Sequence, residues 1–122
     1  MSAKILIVDD SGLARRGTRR ILEGAGYEVV EAEDGLGALE QFFVQKPALV
    51  VLDLVMKGMY GHDVLTRLRE MDAAARVIVV TADVQHSSRH LVESSGAVGF
   101  LTKPVNPDEL LRAVREALGE AG

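Results

Sequence analysis

Strand-like and helix-like segments alternate five times along the chain, and this alternation constrains the fold more than any other feature of the sequence. Two of the strand-like runs, Lys4–Val8 and Leu49–Asp53, are short, unbroken and rich in β-branched residues, as expected of strands buried on both faces of a parallel sheet. The other strands are predicted at Glu28–Ala32, Val77–Val80 and Gly99–Thr102. Such alternation predicts an α/β fold built on a parallel sheet.

The helices are predicted from apolar residues at helical spacing and from residues that start or stop helices. Their approximate bounds are Leu13–Ala25, Gly37–Gln45, His62–Met71, Val84–Ser95 and Pro107–Leu118. The segment Val84–Ser95 has few apolar anchors, so we expect it to be the most mobile helix.

The inward faces of the first two helices follow from the same spacing. The first helix is expected to bury Ala14, Gly17, Thr18, Ile21, Leu22 and Ala25. The second is expected to bury Ala38, Leu39, Phe42 and Phe43. Because glycine is a poor helix former, we expect Gly17 to be present to permit close packing.

Five strand–helix units of this kind usually form a doubly wound parallel sheet with strand order 2-1-3-4-5 and helices on both faces. This order places the first and third strands side by side. Asp9 and Asp10 follow the first strand, and Asp53 ends the third. Because ligands of such sheets bind at the carboxyl ends of the strands, the three carboxylates are expected to meet at that edge.

Three carboxylates crowded at one edge repel one another and favour a bound cation. At a separation of ~5 Å and an effective dielectric constant of about 20, each pair costs roughly 3 kcal/mol. A hard divalent cation relieves this repulsion, and Mg²⁺ uses a few carboxylates together with water and phosphate oxygens. The sequence therefore predicts a magnesium site at Asp9, Asp10 and Asp53.

Two further polar residues end strands at the same predicted edge. Thr81 follows the fourth strand and Lys103 follows the fifth. Phosphoryl transfer uses a carboxylate nucleophile, a metal ion that bridges acids and phosphoryl oxygens, and a hydroxyl and an ammonium for the remaining oxygens. Asp53, the lone acid of its strand end, is the natural nucleophile, and Asp9 and Asp10 would hold the metal.

Composition limits the other classes of function. The chain has 122 residues, which suits one domain over residues 1–122, with no output domain expected after the last helix. Cysteine is absent, so disulfides and thiolate metal sites are excluded. The net charge of −4 argues against direct nucleic-acid binding. No apolar run is long enough to span a membrane and no signal peptide is evident, so we expect a cytoplasmic location.

Six segments carry a family resemblance that covers nearly the whole chain: Ile7–Asp10, Glu31–Gly35, Val51–Leu54, Val80–Ala82, Phe100–Pro104 and Pro107–Leu110. They resemble the motifs of response-regulator receiver domains, the CheY-like family. The resemblance implies a flavodoxin-like (βα)5 fold and a phosphorylation-controlled switch in two-component phosphorelay signalling. Catalysis would be limited to the domain's own phosphorylation and dephosphorylation.

The resemblance implies a role for each residue at the acidic edge. Asp53 would accept a phosphoryl group from a sensor histidine kinase or a histidine phosphotransfer protein. Asp10 and Asp53 would ligate Mg²⁺, and Asp9 would hold the ion through water. The backbone carbonyl of Val55 would be a further ligand. Lys103 would pair with Asp53 and later with the phosphoryl group.

The resemblance also implies how the domain would switch. Thr81 would move to bind a phosphoryl oxygen, and Phe100 would rotate inward with it. The Lys103–Pro104 peptide bond would be cis and would direct the lysine side chain into the site. The output would be altered binding of a downstream protein or output domain, or formation of a homodimer, on the face of the last two helices.

The loop after Asp53 departs from the family pattern. Family members commonly have proline at the position of Lys57, so this loop is expected to be looser. Val55 and Asp83 flank the site and influence how fast water reaches the acyl phosphate. Their combined effect on the lifetime of the phosphorylated state stays open.

Two other functions are weighed against the switch. A phosphatase with an aspartyl-phosphate intermediate needs a second acid two residues after its nucleophile, whereas Asp53 is followed by Leu54 and Val55. A nucleotide or flavin carrier needs a loop rich in glycine, serine and threonine after the first strand. This chain has Asp9 and Asp10 there, which would repel an anionic ligand unless a metal intervened.

Overall fold

A parallel sheet of five strands forms the centre of the structure, a computed structural model that describes residues 2–56, 58, 60–82 and 93–120. The strands are β1 (Lys4–Val8), β2 (Glu28–Ala32), β3 (Leu49–Asp53), β4 (Val77–Thr81) and β5 (Gly99–Thr102). Their order is β2-β1-β3-β4-β5, which confirms the predicted doubly wound arrangement. Strand β4 extends one residue further than predicted, so Thr81 belongs to the strand itself.

The register of the central strands aligns their carboxyl ends. Val8 of β1 pairs with Leu52 of β3, and Asp53 of β3 pairs with Val80 of β4. Asp9 directly follows Val8 in the chain. Asp9 and Asp53 therefore emerge from neighbouring strands at the same edge of the sheet.

The described residues form four helices: α1 (Gly12–Gly24), α2 (Gly35–Gln45), α3 (Gly61–Met71) and α4 (Pro107–Leu118). Helices α1 and α2 begin earlier than predicted because side chains cap their first turns. The hydroxyl of Ser11 accepts the N–H of Ala14 at 3.2 Å. The carboxylate of Asp34 accepts the N–H of Gly37 at 2.7 Å. The helix predicted over Val84–Ser95, and its expected mobility, concern residues that lie mostly outside the described ranges.

Alternate residues of each strand face opposite sides of the sheet, and each side has its own apolar core. On one side, Leu6, Val50, Val77 and their neighbours pack with α2 and α3. On the other side, Ile5, Val51, Ile78 and their neighbours pack with α1 and α4. Helices therefore cover both faces, as predicted. No helix of the described residues has the length and apolar character needed to cross a membrane.

Three residues expected in the core are exposed: Gly17, Ala25 and Phe43. Apart from the backbone of its own helix, no described heavy atom lies within 4 Å of the position that a Cβ of Gly17 would occupy. The expectation that Gly17 permits close packing is therefore wrong. Phe43 is 72% exposed because Phe42 takes the inward position, and successive helical residues point about 100° apart.

Candidate functional site

Three carboxylates from two strand ends come together at the carboxyl edge of the sheet. Oxygen atoms of Asp9, Asp10 and Asp53 lie within 4.8 Å of one another. Asp9 and Asp53 are buried, with only 6% and 5% of their surfaces exposed, whereas Asp10 is exposed. The predicted convergence of these acids at one edge is confirmed.

A single lysine joins the two buried acids. The Nζ atom of Lys103 donates to Oδ2 of Asp9 and to Oδ2 of Asp53, in both cases at 2.9 Å. The backbone N–H of Lys103 donates to the carbonyl of Thr81 at 2.9 Å, which ties the ends of β4 and β5 together. The Lys103–Pro104 peptide bond is cis. The ammonium of Lys103, which follows β5, thus bonds to one carboxylate that follows β1 and to one that ends β3.

The same contacts set the charge of Lys103. Burial acts to lower the pKa of its ammonium, but hydrogen bonds to Asp53 and Asp9 raise the pKa above its ordinary value of 10.5. The side chain remains 25% exposed. Lys103 is therefore positively charged at neutral pH and accessible to a group bound at the edge.

Both carboxylate oxygens of Asp53 are held by hydrogen bonds. Oδ1 accepts the N–H of Val55 at 3.0 Å, and Oδ2 accepts the ammonium of Lys103. Burial raises the pKa of Asp53 above its ordinary value of 3.8, and this effect outweighs the hydrogen bonds, which lower it. Asp53 is therefore a fixed carboxylate with little solvation, which suits an oxygen nucleophile.

Hydrogen bonds from Ser11, the N-cap of α1, and from Arg15 of α1 fix the loop that carries Asp9 and Asp10. Oδ1 of Asp9 accepts the N–H of Ser11 at 2.9 Å. Nη1 of Arg15 donates to the carbonyl oxygen of Asp9 at 2.6 Å, while Nε of Arg15 donates to Glu31 of β2 at 2.9 Å. Arg15 thus positions the main chain of Asp9. The sequence analysis did not predict this role of Arg15. The only indication in the sequence is that Arg15 and Glu31 carry opposite charges near the ends of neighbouring elements.

Glu31 is expected to stabilise the chain only above the pH at which it becomes protonated. Burial alone would raise the pKa of Glu31, but hydrogen bonds from Arg19 and Arg15 outweigh it and hold the pKa below its ordinary value of 4.5. A carboxyl group whose pKa is lower in the folded chain than in the unfolded chain stabilises the fold at pH values above its unfolded-state pKa. This stabilisation is lost as the pH falls through the folded-state pKa. We expect Glu31→Gln to lower the free energy of unfolding by about 1 kcal/mol at pH 7, and by much less below roughly pH 4, in urea titrations.

Glu23→Gln is the matched control for this prediction. Glu23 pairs with Arg19 at 3.2 Å, but these side chains are 49% and 41% exposed, so the substitution should cost at most a few tenths of a kcal/mol. An equal loss of stability for Glu31→Gln at both pH values would contradict the role assigned to its charge.

Thr81 and Phe100, the predicted switch residues, are both buried. Thr81 is fully buried at the end of β4, and Phe100 of β5 is 8% exposed within the core that contacts α2 and α3. The ring of Phe100 is therefore already inside the core in this structure. Val55, beyond Asp53, is 53% exposed. Lys57 and Asp83, to which we attributed effects on the loop and on the phosphoryl lifetime, lie outside the described residues.

The donor set at the edge fits Mg²⁺. Carboxylate oxygens are the hard ligands that this ion prefers, and three of them lie together beside the single ammonium of Lys103. Asp10 is exposed, so solvent reaches the cluster, and Mg²⁺ usually keeps several of its waters. Asp9, Asp10 and Asp53 are therefore the residues that would hold the ion.

Comparison with known proteins identifies the family. The sequence model described as the response regulator receiver domain matches residues 5–115. The chain belongs to the response-regulator receiver domain family. The chemotaxis protein CheY of Bacillus subtilis is 38% identical over 97% of this chain and 99% of its own length. The nitrate/nitrite response regulator NarP of Escherichia coli is 40% identical over 92% of this chain, but over only 53% of its own length.

A solved structure of the response regulator TrrA from Thermotoga maritima, in complex with Mg²⁺–BeF, has the same fold. Its TM-score is 0.88 at 35% identity, covering 97% of this chain and 100% of TrrA. Receiver domains are phosphoacceptor switches of two-component phosphorelay signalling that bind Mg²⁺ at an acidic cluster. They interact with histidine kinases or phosphotransfer proteins and with output partners. Family membership therefore favours the switch over the phosphatase and the flavin carrier.

Proposed function

We propose that Asp53 is the phosphoacceptor of this receiver domain. The observation that carries the proposal is the position of its buried carboxylate, which lies within the acidic cluster and bonds to Lys103 at 2.9 Å. Attack by a carboxylate oxygen on phosphorus needs a nearby positive charge for the phosphoryl oxygens. Lys103 supplies that charge beside Asp53.

Asp9, Asp10 and Asp53, together with the backbone carbonyl of Val55, would hold Mg²⁺. A bound ion would neutralise charge on the phosphoryl oxygens and orient them. The N–H of Val55 bonds to Oδ1 of Asp53, so the main chain of this residue lies beside the acids. Among the three acids, Asp9 has its backbone carbonyl bonded to Arg15, which fixes the position of its main chain.

The phosphoryl donor is a histidine of a sensor kinase or of a phosphotransfer protein. A carboxylate oxygen of Asp53 forms a bond to phosphorus while the bond from phosphorus to the imidazole nitrogen breaks. Lys103 and the hydroxyl of Thr81 bind phosphoryl oxygens. The domain also promotes hydrolysis of its own acyl phosphate, and its catalysis is limited to these two reactions.

Phosphorylation acts on an existing conformational equilibrium. It adds charge and strong acceptors at Asp53, which would draw Lys103 and Thr81 toward the phosphoryl group. Thr81 ends β4, and Phe100 belongs to β5, whose end is bonded to β4. The last two strand–helix units, of which residues 83–92 lie outside the described ranges, would then present a changed surface to a downstream protein, an output domain or a second copy. Absence of nucleic-acid binding and a cytoplasmic location stay predictions.

The test is incubation of the purified chain with acetyl phosphate and Mg²⁺. We expect the mass of one phosphoryl group to be added, the label to map to Asp53 by fragmentation, and EDTA to prevent the reaction. Amide NMR shifts at Thr81 and Phe100 on phosphorylation test the switch. A label on another residue, or equal labelling with EDTA, would contradict the proposal.

A further inference from the structure

Every polar atom of Asp9 takes part in a hydrogen bond. Its backbone N–H donates to the carbonyl of Ala32 at 3.2 Å, and its backbone carbonyl accepts Nη1 of Arg15 at 2.6 Å. Its carboxylate accepts the N–H of Ser11 through Oδ1 and the ammonium of Lys103 through Oδ2. Asp9 is therefore held from the end of β2, from α1 and from the residue that follows β5.

The bond from Arg15 acts on Asp10 as well as on Asp9. The carbonyl that Arg15 holds belongs to the planar peptide unit that joins Asp9 to Asp10. Rotation of this unit would change the directions in which both side chains leave the main chain. Arg15 therefore orients two of the three acids of the cluster, whereas the third, Asp53, belongs to β3.

Glu31 holds Arg15 in the orientation that reaches Asp9. Nε of Arg15 donates to Oε1 of Glu31 at 2.9 Å, while Nη1 of the same guanidinium donates to Asp9. The side chains of Arg15 and Glu31 are only 17% and 26% exposed, so water competes little for these bonds. Because the donors of a guanidinium lie in a rigid plane, the bond to Glu31 also determines where Nη1 points.

We propose that Arg15 is a positioning residue for the magnesium site, and that its bonds to Asp9 and Glu31 raise the affinity of the acidic cluster for Mg²⁺. The inference rests on the proposed assignment of Asp9 and Asp10 as ligands. Ligands that are already in place lose less conformational freedom when an ion binds. Residues that orient metal ligands commonly change metal affinity by about 10- to 100-fold when they are replaced.

The positive charge of Arg15 would by itself have the opposite effect on Mg²⁺ binding. A guanidinium beside the cluster repels a cation, so removal of the charge alone should strengthen the binding of the ion. Removal of the two positioning bonds should weaken it. The sign of the change in affinity therefore separates the positioning role from a purely electrostatic one.

The test is titration of Mg²⁺ into the wild-type chain and into Arg15→Gln, followed by amide NMR shifts without a phosphodonor. We expect the dissociation constant for Mg²⁺ to rise about tenfold in the variant. Arg15→Lys keeps the charge but lacks the rigid fork that spans both acceptors, so it should show most of the same rise. An unchanged or lower dissociation constant in Arg15→Gln would overturn the proposal. If Arg15→Gln does not fold, an unchanged constant in Arg15→Lys overturns it instead.

Arg19→Gln is the matched control. Arg19 lies one turn after Arg15 in α1 and also bonds to Glu31, but it pairs with Glu23 rather than with Asp9. Its charge is screened by solvent, so we expect the dissociation constant for Mg²⁺ to stay within about twofold of the wild-type value. An equal rise in Arg19→Gln and Arg15→Gln would overturn the proposal, because the effect would then come from the loss of any ion pair with Glu31.

The rate of phosphorylation by acetyl phosphate gives a second readout. In Arg15→Gln, we expect the Mg²⁺ concentration at half of the maximal rate to rise about tenfold, while the maximal rate at saturating Mg²⁺ falls by much less. A general loss of structure would lower the maximal rate instead. A lower maximal rate with an unchanged dependence on Mg²⁺ would therefore overturn the proposal.

The outcomes separate this inference from the proposed function. If the wild-type chain binds Mg²⁺ and is labelled at Asp53, but Arg15→Gln has the wild-type dissociation constant, the inference is wrong and the proposed function stands. If the wild-type chain binds no Mg²⁺, the proposed metal ligands are wrong and this inference fails with them.

Discussion

The Asp53→Asn variant is expected to incorporate no detectable phosphoryl group from acetyl phosphate in the presence of Mg²⁺. Asparagine keeps the size of the side chain but removes the carboxylate oxygen that would attack phosphorus. We expect the rate to fall by more than about a thousandfold, since loss of a nucleophile has effects of this size or larger. Intact mass spectrometry of the wild-type chain and the variant over time measures the difference.

Two controls separate loss of the nucleophile from loss of the fold. Asp63→Asn changes an exposed acid of α3 and should leave the rate unchanged. Because burial raises the pKa of Asp53, its ionised carboxylate is unfavourable to folding at neutral pH. Asp53→Asn should therefore unfold at the same or a higher urea concentration than the wild-type chain. Phosphorylation of Asp53→Asn at the rate of Asp63→Asn would show that another residue is the acceptor.

One added methyl group at Gly61 is expected to destabilise the chain by about 2–3 kcal/mol and to slow phosphorylation roughly tenfold or more. A Cβ at this first residue of α3 would lie 2.4 Å from Cα of Leu54 and 2.9 Å from the backbone oxygen of Asp53. These are main-chain atoms that cannot rotate away, so the strand end or the helix must shift. Such a shift would displace Asp53 from Lys103. Urea unfolding and the acetyl phosphate rate measure the two effects of Gly61→Ala.

Gly24→Ala provides the matched comparison, because beyond the backbone of its own helix and its chain neighbours the added methyl group meets no described atom within 4 Å. Helix propensity alone should then raise the free energy of unfolding, by up to about 1 kcal/mol. Wild-type stability and rate in Gly61→Ala would show that the close approach of α3 to the end of β3 does not restrict this position.

The strands and the acidic edge were predictable because their signals are local or follow from topology. The runs before Asp9 and Asp53 have the length and β-branched content of buried strands. A general rule for parallel sheets then brings their ends together. Helix starts were harder to predict, since Asp34 and Gly35 also suit a turn, whereas in the structure Asp34 caps α2.

Other features depend on the distance between two elements, and the residues within each element do not determine that distance. The hydrogen bond from Arg15 to the carbonyl of Asp9 requires α1 and the end of β2 to flank the same loop. Gly17 has the helical spacing of an inward residue, yet it borders a cleft between α1 and α4. Spacing predicts which way a helical residue points, but not how far away the next surface lies.

Lys103 shares one positive charge between carboxylates that follow β1 and end β3, so its two hydrogen bonds compete. A group that draws the ammonium closer to one acid lengthens its hydrogen bond to the other. Four residues after Lys103 the chain enters α4 at Pro107. A change at either acid is therefore expected to move Lys103 and, through the short segment that follows it, the start of the last helix.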